Sequence, residues 1–209
     1  MYKVISFDLD GTLVDSLQDI ATCMNEVLIK NNMPTHSYED YIGFIGEGAY
    51  RLVQKATNLK DVDLYFNQYQ ELAIVKCTEK AKEFPNVTST LLKLKENYKI
   101  ALITNKPIDQ GKKIVDLFFP NIFDYVCGQE EGVAKKPDVE PMDKLLKYFN
   151  VSKEEVLYVG DSHIDYQFAK NCDVDVLILS YGYSSKEFKL SIENECLIDN
   201  FEEILKNLK

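Results

Sequence analysis

Apolar positions along the chain follow two periods. The run Val4-Ile5-Ser6-Phe7 is apolar and rich in β-branched and aromatic residues, which predicts a buried strand. Leu17, Ile20, Ala21, Met24 and Leu28 then recur at helical spacing, with Ser16 placed as the cap and Asn31-Asn32-Met33-Pro34 as the stop. The stretch 41–48 holds three glycines and reads as a loop. A second helix runs through Leu52, Val53 and Ala56, and a third, long one covers 64–80. No strand signal stands out between 15 and 80. From Phe84 onward the two periods alternate. Helices are predicted over 90–97, 108–119, 140–149, 164–171 and 200–209, and strands over 98–103, 123–127, 156–159 and 174–179. Strands separated by helices predict βαβ units and a parallel sheet, and the near-continuous apolar strands are those of a sheet covered on both faces. The expected fold is therefore α/β, with an all-helical insert after the first strand.

The first strand runs straight into Asp8-Leu9-Asp10-Gly11-Thr12. Unpaired buried carboxylates are very costly. At the carboxyl end of a parallel strand, however, they face the crevice where open α/β sheets bind ligands. Two anions held that close need a cation, and hard oxygen ligands select magnesium. A plain Asp-Gly turn is the alternative for this stretch alone. Three further strings occupy strand ends or helix starts: Thr104-Asn105-Lys106-Pro107, Lys135-Lys136-Pro137 with Pro141 beyond it, and Gly160-Asp161-Ser162-His163-Ile164-Asp165. Singly each also suits a turn, a cap or a solvated pair. Together they are the residues that one crevice can collect.

Composition narrows the partners. With 24 basic and 34 acidic residues the net charge is −10, the opposite of what a nucleic-acid backbone or an anionic membrane surface wants. An anionic substrate needs local cations to overcome that field. The five cysteines are scattered and none pairs at metal-site spacing, which fits a reducing, cytoplasmic setting rather than disulfides or zinc. Acidic residues follow the amino terminus too soon for a signal peptide, and no apolar run reaches membrane-spanning length. At 209 residues the chain can bury one good core, with or without a small insert.

The string from Asp8 to Ser16 matches Asp-x-Asp-Gly-Thr-x-x-Asp-Ser in full. It resembles the first motif of the haloacid dehalogenase superfamily. The three later strings resemble that superfamily's remaining motifs, in order, over nearly the whole chain. The resemblance implies a Rossmann-like catalytic core over 1–14 and 81–209, with a helical cap domain over 15–80. It also implies a role for each motif residue. Asp8 is the nucleophile and Asp10 the general acid and base. Magnesium is held by Asp8, the backbone carbonyl of Asp10, and Asp161. The phosphoryl oxygens are held by Thr104, Lys136 and the amides around Gly11 and Asn105. Asp165 lies one layer out and orients Lys136 or metal-bound water. Lys135 is expected to be solvated and His163 to be an uninvolved loop residue.

Asp10 separates this chain from the superfamily's dehalogenases, which lack that acid because halide needs no proton. No cap lysine stands in the phosphonatase motif, and 17–20 lacks the histidine of the sugar-phosphate mutases. The strings 45–53 and 104–107 resemble those of phosphoglycolate phosphatases. Amides at Gly46 to Gly48, with Arg51 or Lys55, would suit a small carboxylate. The resemblance thus implies a magnesium-dependent phosphatase acting on a small-molecule phosphate ester, 2-phosphoglycolate foremost, as a monomer or homodimer. The alternatives are a nucleotidase, pyrophosphatase or sugar-phosphate phosphatase on the same core. Further off stand a sugar-phosphate mutase and a protein-binding module on an inactive phosphatase fold.

Overall fold

The computed structural model describes residues 1–208. Six strands form one sheet: β1 (Val4–Phe7), β4 (Lys99–Pro107), β5 (Tyr125–Gln129), β6 (Val156–Gly160), β7 (Asp175–Leu179) and β8 (Leu197–Ile198), in the order β5-β4-β1-β6-β7-β8. Every pairing in it is parallel. The chain moves outward from β1 through β4 to β5, then returns to the other side of β1 as β6. That reversal opens a crevice at the carboxyl ends of the central strands.

Side-chain alternation sorts the strands into two cores. Ile5, Phe7, Ile100, Leu102, Leu157 and Val159 pack on one face, while Val4, Ala101, Ile103, Val156 and Tyr158 pack on the other. Helices cover both faces: α5 (Val87–Lys95), α6 (Ile108–Phe118), α7 (Glu140–Phe149) and α8 (His163–Cys172). The expected α/β sandwich is therefore present.

Between β1 and β4 lie α1 (Leu17–Lys30), α2 (Tyr38–Ile42), α3 (Ala49–Thr57) and α4 (Asp63–Lys76). They bury a third apolar cluster of their own, built around Met24, Leu28, Tyr41, Val53 and Tyr69. A two-residue antiparallel ribbon joins the outgoing and returning chain, β2 (Val14–Asp15) against β3 (Lys82–Glu83). The buried Asp19 carboxylate accepts from the amides of Lys80 and Ala81 and fastens the return.

Several local expectations need correction. Ser16 occupies the N-cap position of α1, but its hydroxyl makes no capping bond and turns instead to Asp10. The third helix stops at Lys76, short of 80. The stretch read as a loop contains the end of α2, whose Ser37 and Asp40 form a reciprocal capping box. The expected closing helix is a 3-10 turn over Phe201–Lys206, and the last residue of that expectation lies outside the described residues. A short helix, α9 (Lys186–Ser191), follows β7. Cys23 and Cys77 are buried free thiols, whereas Cys127, Cys172 and Cys196 are half-buried.

Candidate active site

Each motif residue owes its place to a local feature of the backbone. β1 ends at Phe7, and the Asp8 amide still donates to Val159 O at 2.9 Å, so Asp8 is the first residue clear of the strand. The chain then doubles back. Leu13 and Val14 donate to Leu9 O, and Gly11 donates to Val14 O with φ +88°. A side chain on Gly11 would also meet Asp161 Oδ2 at 2.5 Å, so both the torsion and the approach require glycine. β4 shifts register between Ile103 and Pro107, which unpairs Thr104, Asn105 and Lys106 from β5 and turns them toward the crevice. Asp165 is the third residue of α8 and shares a capping box with Ser162. Its carboxylate accepts from the Ser162 amide at 3.0 Å and hydroxyl at 2.6 Å.

These elements bring Asp8, Lys136, Asp161 and Asp165 together beneath the crevice. Lys136 Nζ lies 2.8 Å from Asp8 Oδ1 and 2.7 Å from Asp165 Oδ1. It also donates to Tyr158 Oη at 2.8 Å, and that hydroxyl sits 2.9 Å from Asp165 Oδ1. Burial opposes charge on Lys136, but Asp165 and Asp8 outweigh it and hold its pKa above the ordinary lysine value. Burial works against ionised Asp165 too, yet Lys136 and the Ser162 donors keep that carboxyl below its usual range. Among the described residues no ion pair reaches Asp161. It accepts from Thr12 Oγ1 at 2.8 Å and the Tyr183 amide at 2.7 Å, and burial plus the charges of Asp165 and Asp8 push its pKa well up.

The site can therefore be tested for a fit to magnesium. Oxygens of Asp8, Asp161 and Asp165 lie within 4.8 Å of one another, all three residues are buried, and among the described residues only the Lys136 ammonium pairs with any of them. An all-oxygen donor set with surplus negative charge fits a hard divalent cation. Asp165 is already saturated by Lys136 and Ser162, so Asp8 and Asp161 are the side chains left to coordinate. Gly182 guards that geometry. A Cβ there would come within 2.2 Å of Asp161 Cβ. Gly182→Ala is expected to displace Asp161 and weaken apparent magnesium affinity by roughly ten- to a hundredfold, read from the magnesium dependence of turnover.

Asp10 is held separately. Lys106 Nζ lies 3.0 Å and 3.1 Å from its two oxygens, and the Ser16 hydroxyl donates to Oδ1 at 2.5 Å. Asp8, Asp10, Thr104, Asn105, Lys106 and Asp161 all line one cavity of about 410 Å³. The helical insert supplies its other wall, with Ile20, Ile42, Ile45, Leu52 and Lys55. The loop before α3 reaches the core: Asn105 Nδ2 donates to Gly46 O at 2.9 Å, and Lys135 Nζ donates to Glu47 O at 2.5 Å. Lys135 is thus half-buried against the insert, not solvated, because the 43–48 loop folds over it. His163 lines the cavity as the first residue of α8, with its ring 6.3 Å from Phe188.

Arg51 is not among the cavity residues. It points outward, with Nη1 donating to Gln54 at 2.7 Å and Nε 3.6 Å from Glu47. An exposed pair of this kind contributes no more than about 1 kcal/mol. Arg51→Ala should therefore change kcat/KM for small phosphate esters by less than about fivefold, checked by steady-state kinetics. The insert cation that does reach the cavity is Lys55. Sequence reasoning assigned no role at the site to Lys106 and Ser16, though both fall in its motif strings, and passed over Tyr158, Gly182 and Tyr183. The Tyr183 hydroxyl accepts from the amides of Ser16 and Leu17 and donates to Asp15, tying the loop after β7 to the start of the insert.

Comparison with known proteins identifies the family. The family model for haloacid dehalogenase-like hydrolases matches residues 5–179, and the chain belongs to that family. Among its relatives, the phosphoglycolate phosphatase of Photorhabdus laumondii is 31% identical over 218 residues, covering 99% of this chain and 92% of that protein. The phosphoglycolate phosphatase of Haemophilus influenzae strain 86-028NP is 32% identical over 220 residues, covering 98% and 97%. The crystal structure of a predicted phosphoglycolate phosphatase from Haemophilus somnus 129PT superposes with a TM-score of 0.90 at 31% identity, covering 100% of this chain and 98% of that one. Among the described residues no helix is long and apolar enough to cross a membrane.

Proposed function

We propose that this phosphoric monoester hydrolase cleaves a small phosphate monoester, 2-phosphoglycolate foremost, through an aspartyl-phosphate on Asp8. The observation that carries the reading is the separate tethering of two carboxylates in one cavity, Asp8 on Lys136 and Asp10 on Lys106. A nucleophile and an acid that must act in sequence are thereby kept in distinct environments. Asp8 attacks phosphorus and the ester P–O bond breaks, while Asp10 delivers a proton to the departing alkoxide. Asp10 then takes a proton from the water that attacks the aspartyl-phosphate, which releases inorganic phosphate and restores both carboxyls. Lys136, Thr104 and the amides near Gly11 and Asn105 hold the phosphoryl oxygens. Magnesium, held by Asp8, Asp161 and the Asp10 carbonyl, would shield the anionic nucleophile from the anionic ester.

In this reading 1–14 and 81–209 form the catalytic core, and 15–80 is a cap that covers the leaving group. The names of the relatives support 2-phosphoglycolate, and the five free thiols support a cytoplasmic setting. A second reading has its own observation: about 410 Å³ with an apolar wall leaves room for a larger alcohol, such as a sugar or a nucleoside. A panel of phosphate esters ranked by kcat/KM decides between them. Sugar phosphates or nucleotides outranking 2-phosphoglycolate would favour the larger leaving group, and absence of turnover on every ester would reject the hydrolase mechanism.

A further inference from the structure

We propose that Lys106 selects the leaving group, its ammonium taking a carboxylate carried on the carbon next to the ester oxygen. The proposal rests on the phosphomonoesterase reading of the site, with Asp10 as the acid.

Two lysines line the cavity, Lys55 and Lys106. Lys55 is already matched: its Nζ lies 2.7 Å from Glu47 Oε1 and donates to Gly43 O at 2.9 Å, and its side chain is 29% exposed. Lys106 differs on each count. Its side chain is 4% exposed, and among the described residues its ammonium donates only to the two oxygens of Asp10. An ammonium has three donors. Two are used on Asp10, and the third belongs to a buried cation at the wall of the cavity, where a missing partner is costly.

Position then fixes what that partner is. Asp10 faces the ester oxygen in order to protonate it, and Lys106 is bonded to Asp10. The two together span the ester oxygen and the group attached one carbon away. In a glycolyl ester that group is the carboxylate. The insert wall is apolar at Ile20, Ile42, Ile45 and Leu52, and its one cation, Lys55, is already matched by Glu47 and Gly43. The β4 bulge that turns Lys106 inward and the loop that turns Asp10 to meet it thus make one recognition unit from the acid and its neighbouring cation.

The test compares 2-phosphoglycolate with 2-hydroxyethyl phosphate, in which a neutral hydroxymethyl replaces the carboxylate, and uses p-nitrophenyl phosphate to monitor the core. Wild-type enzyme is expected to favour 2-phosphoglycolate by roughly ten- to a hundredfold in kcat/KM, the scale of one charge-assisted hydrogen bond. Lys106→Met is expected to slow both esters, because Asp10 loses its partner, and to bring their ratio close to one. Lys106→Arg should keep a preference for the carboxylate ester. A merely structural lysine would lower both esters alike and leave the ratio at its wild-type value, which would overturn the proposal. Equal wild-type kcat/KM for the two esters would overturn it without any variant, so a misfolded Lys106→Met cannot protect it. Turnover of p-nitrophenyl phosphate with no discrimination by Lys106 leaves the hydrolase reading intact, whereas no turnover of any of the three esters removes both.

Discussion

Asp8→Asn is expected to abolish turnover and phosphoenzyme formation together, lowering kcat by roughly four orders of magnitude or more, the scale seen when a covalent nucleophile is removed. The amide is nearly isosteric, so Lys136 keeps a hydrogen-bond acceptor at its 2.8 Å contact and the fold survives. Asp10→Asn should fail in a different way. Asp10 contacts Lys106 and Ser16 and stands apart from the Asp8–Lys136–Asp165 network. With an activated leaving group such as p-nitrophenolate, which needs no proton, the first step still proceeds in this variant. The aspartyl-phosphate then accumulates because no base activates the water. Acid-quenched samples should show phosphate bound to protein for Asp10→Asn and none for Asp8→Asn. Near-normal turnover in Asp8→Asn would reject Asp8 as the nucleophile.

The parts of this site visible in the sequence are those whose chemistry is improbable in a buried strand. A carboxylate at each end of Asp8-Leu9-Asp10, and another after Gly160, cannot sit at the close of an apolar run without a compensating charge. The α/β alternation was legible for a related reason: 98–103 and 156–159 are too apolar and too short to be surface helices. Lys106, Ser16, Gly182 and Tyr183 carried no such signal. Ser16 looks like an N-cap, and only the doubling back of 9–14 carries its hydroxyl to Asp10. Tyr183 reaches Asp15 across 168 positions, and Gly182 matters only because Asp161 is pressed against it. Arg51 misled because helical spacing alone does not say which face of α3 turns inward. Leu52 and Lys55 line the cavity, while Arg51 is held outside it by Gln54 and Glu47. The helix α2 did have a local mark, the Ser37–Asp40 capping box, but five residues give too little periodicity to read.

Chelator should reduce turnover to background, and magnesium should restore it, with an affinity that falls as pH falls. Asp8, Asp161 and Asp165 place three buried carboxylates around one ammonium, an arrangement that repels an anionic ester unless a cation joins it. Without the cation that repulsion raises proton affinity. Burial, reinforced by the charges of Asp165 and Asp10 and opposed by Lys136, lifts Asp8 to about 6, and burial with its two carboxylate neighbours lifts Asp161 well above the ordinary range. Metal coordination requires both as carboxylates, so binding must expel the protons they hold. The sign follows: raised carboxyl pKa values make protons competitors of the metal, and affinity weakens on going from pH 7 to pH 5. For Asp8 alone the loss is about tenfold, and Asp161 adds to it. Calorimetric titration of the protein with magnesium in two buffers of different ionisation enthalpy should show net proton release at pH 7. Binding that is independent of pH, or undiminished turnover in excess chelator, would exclude these carboxylates as the metal site.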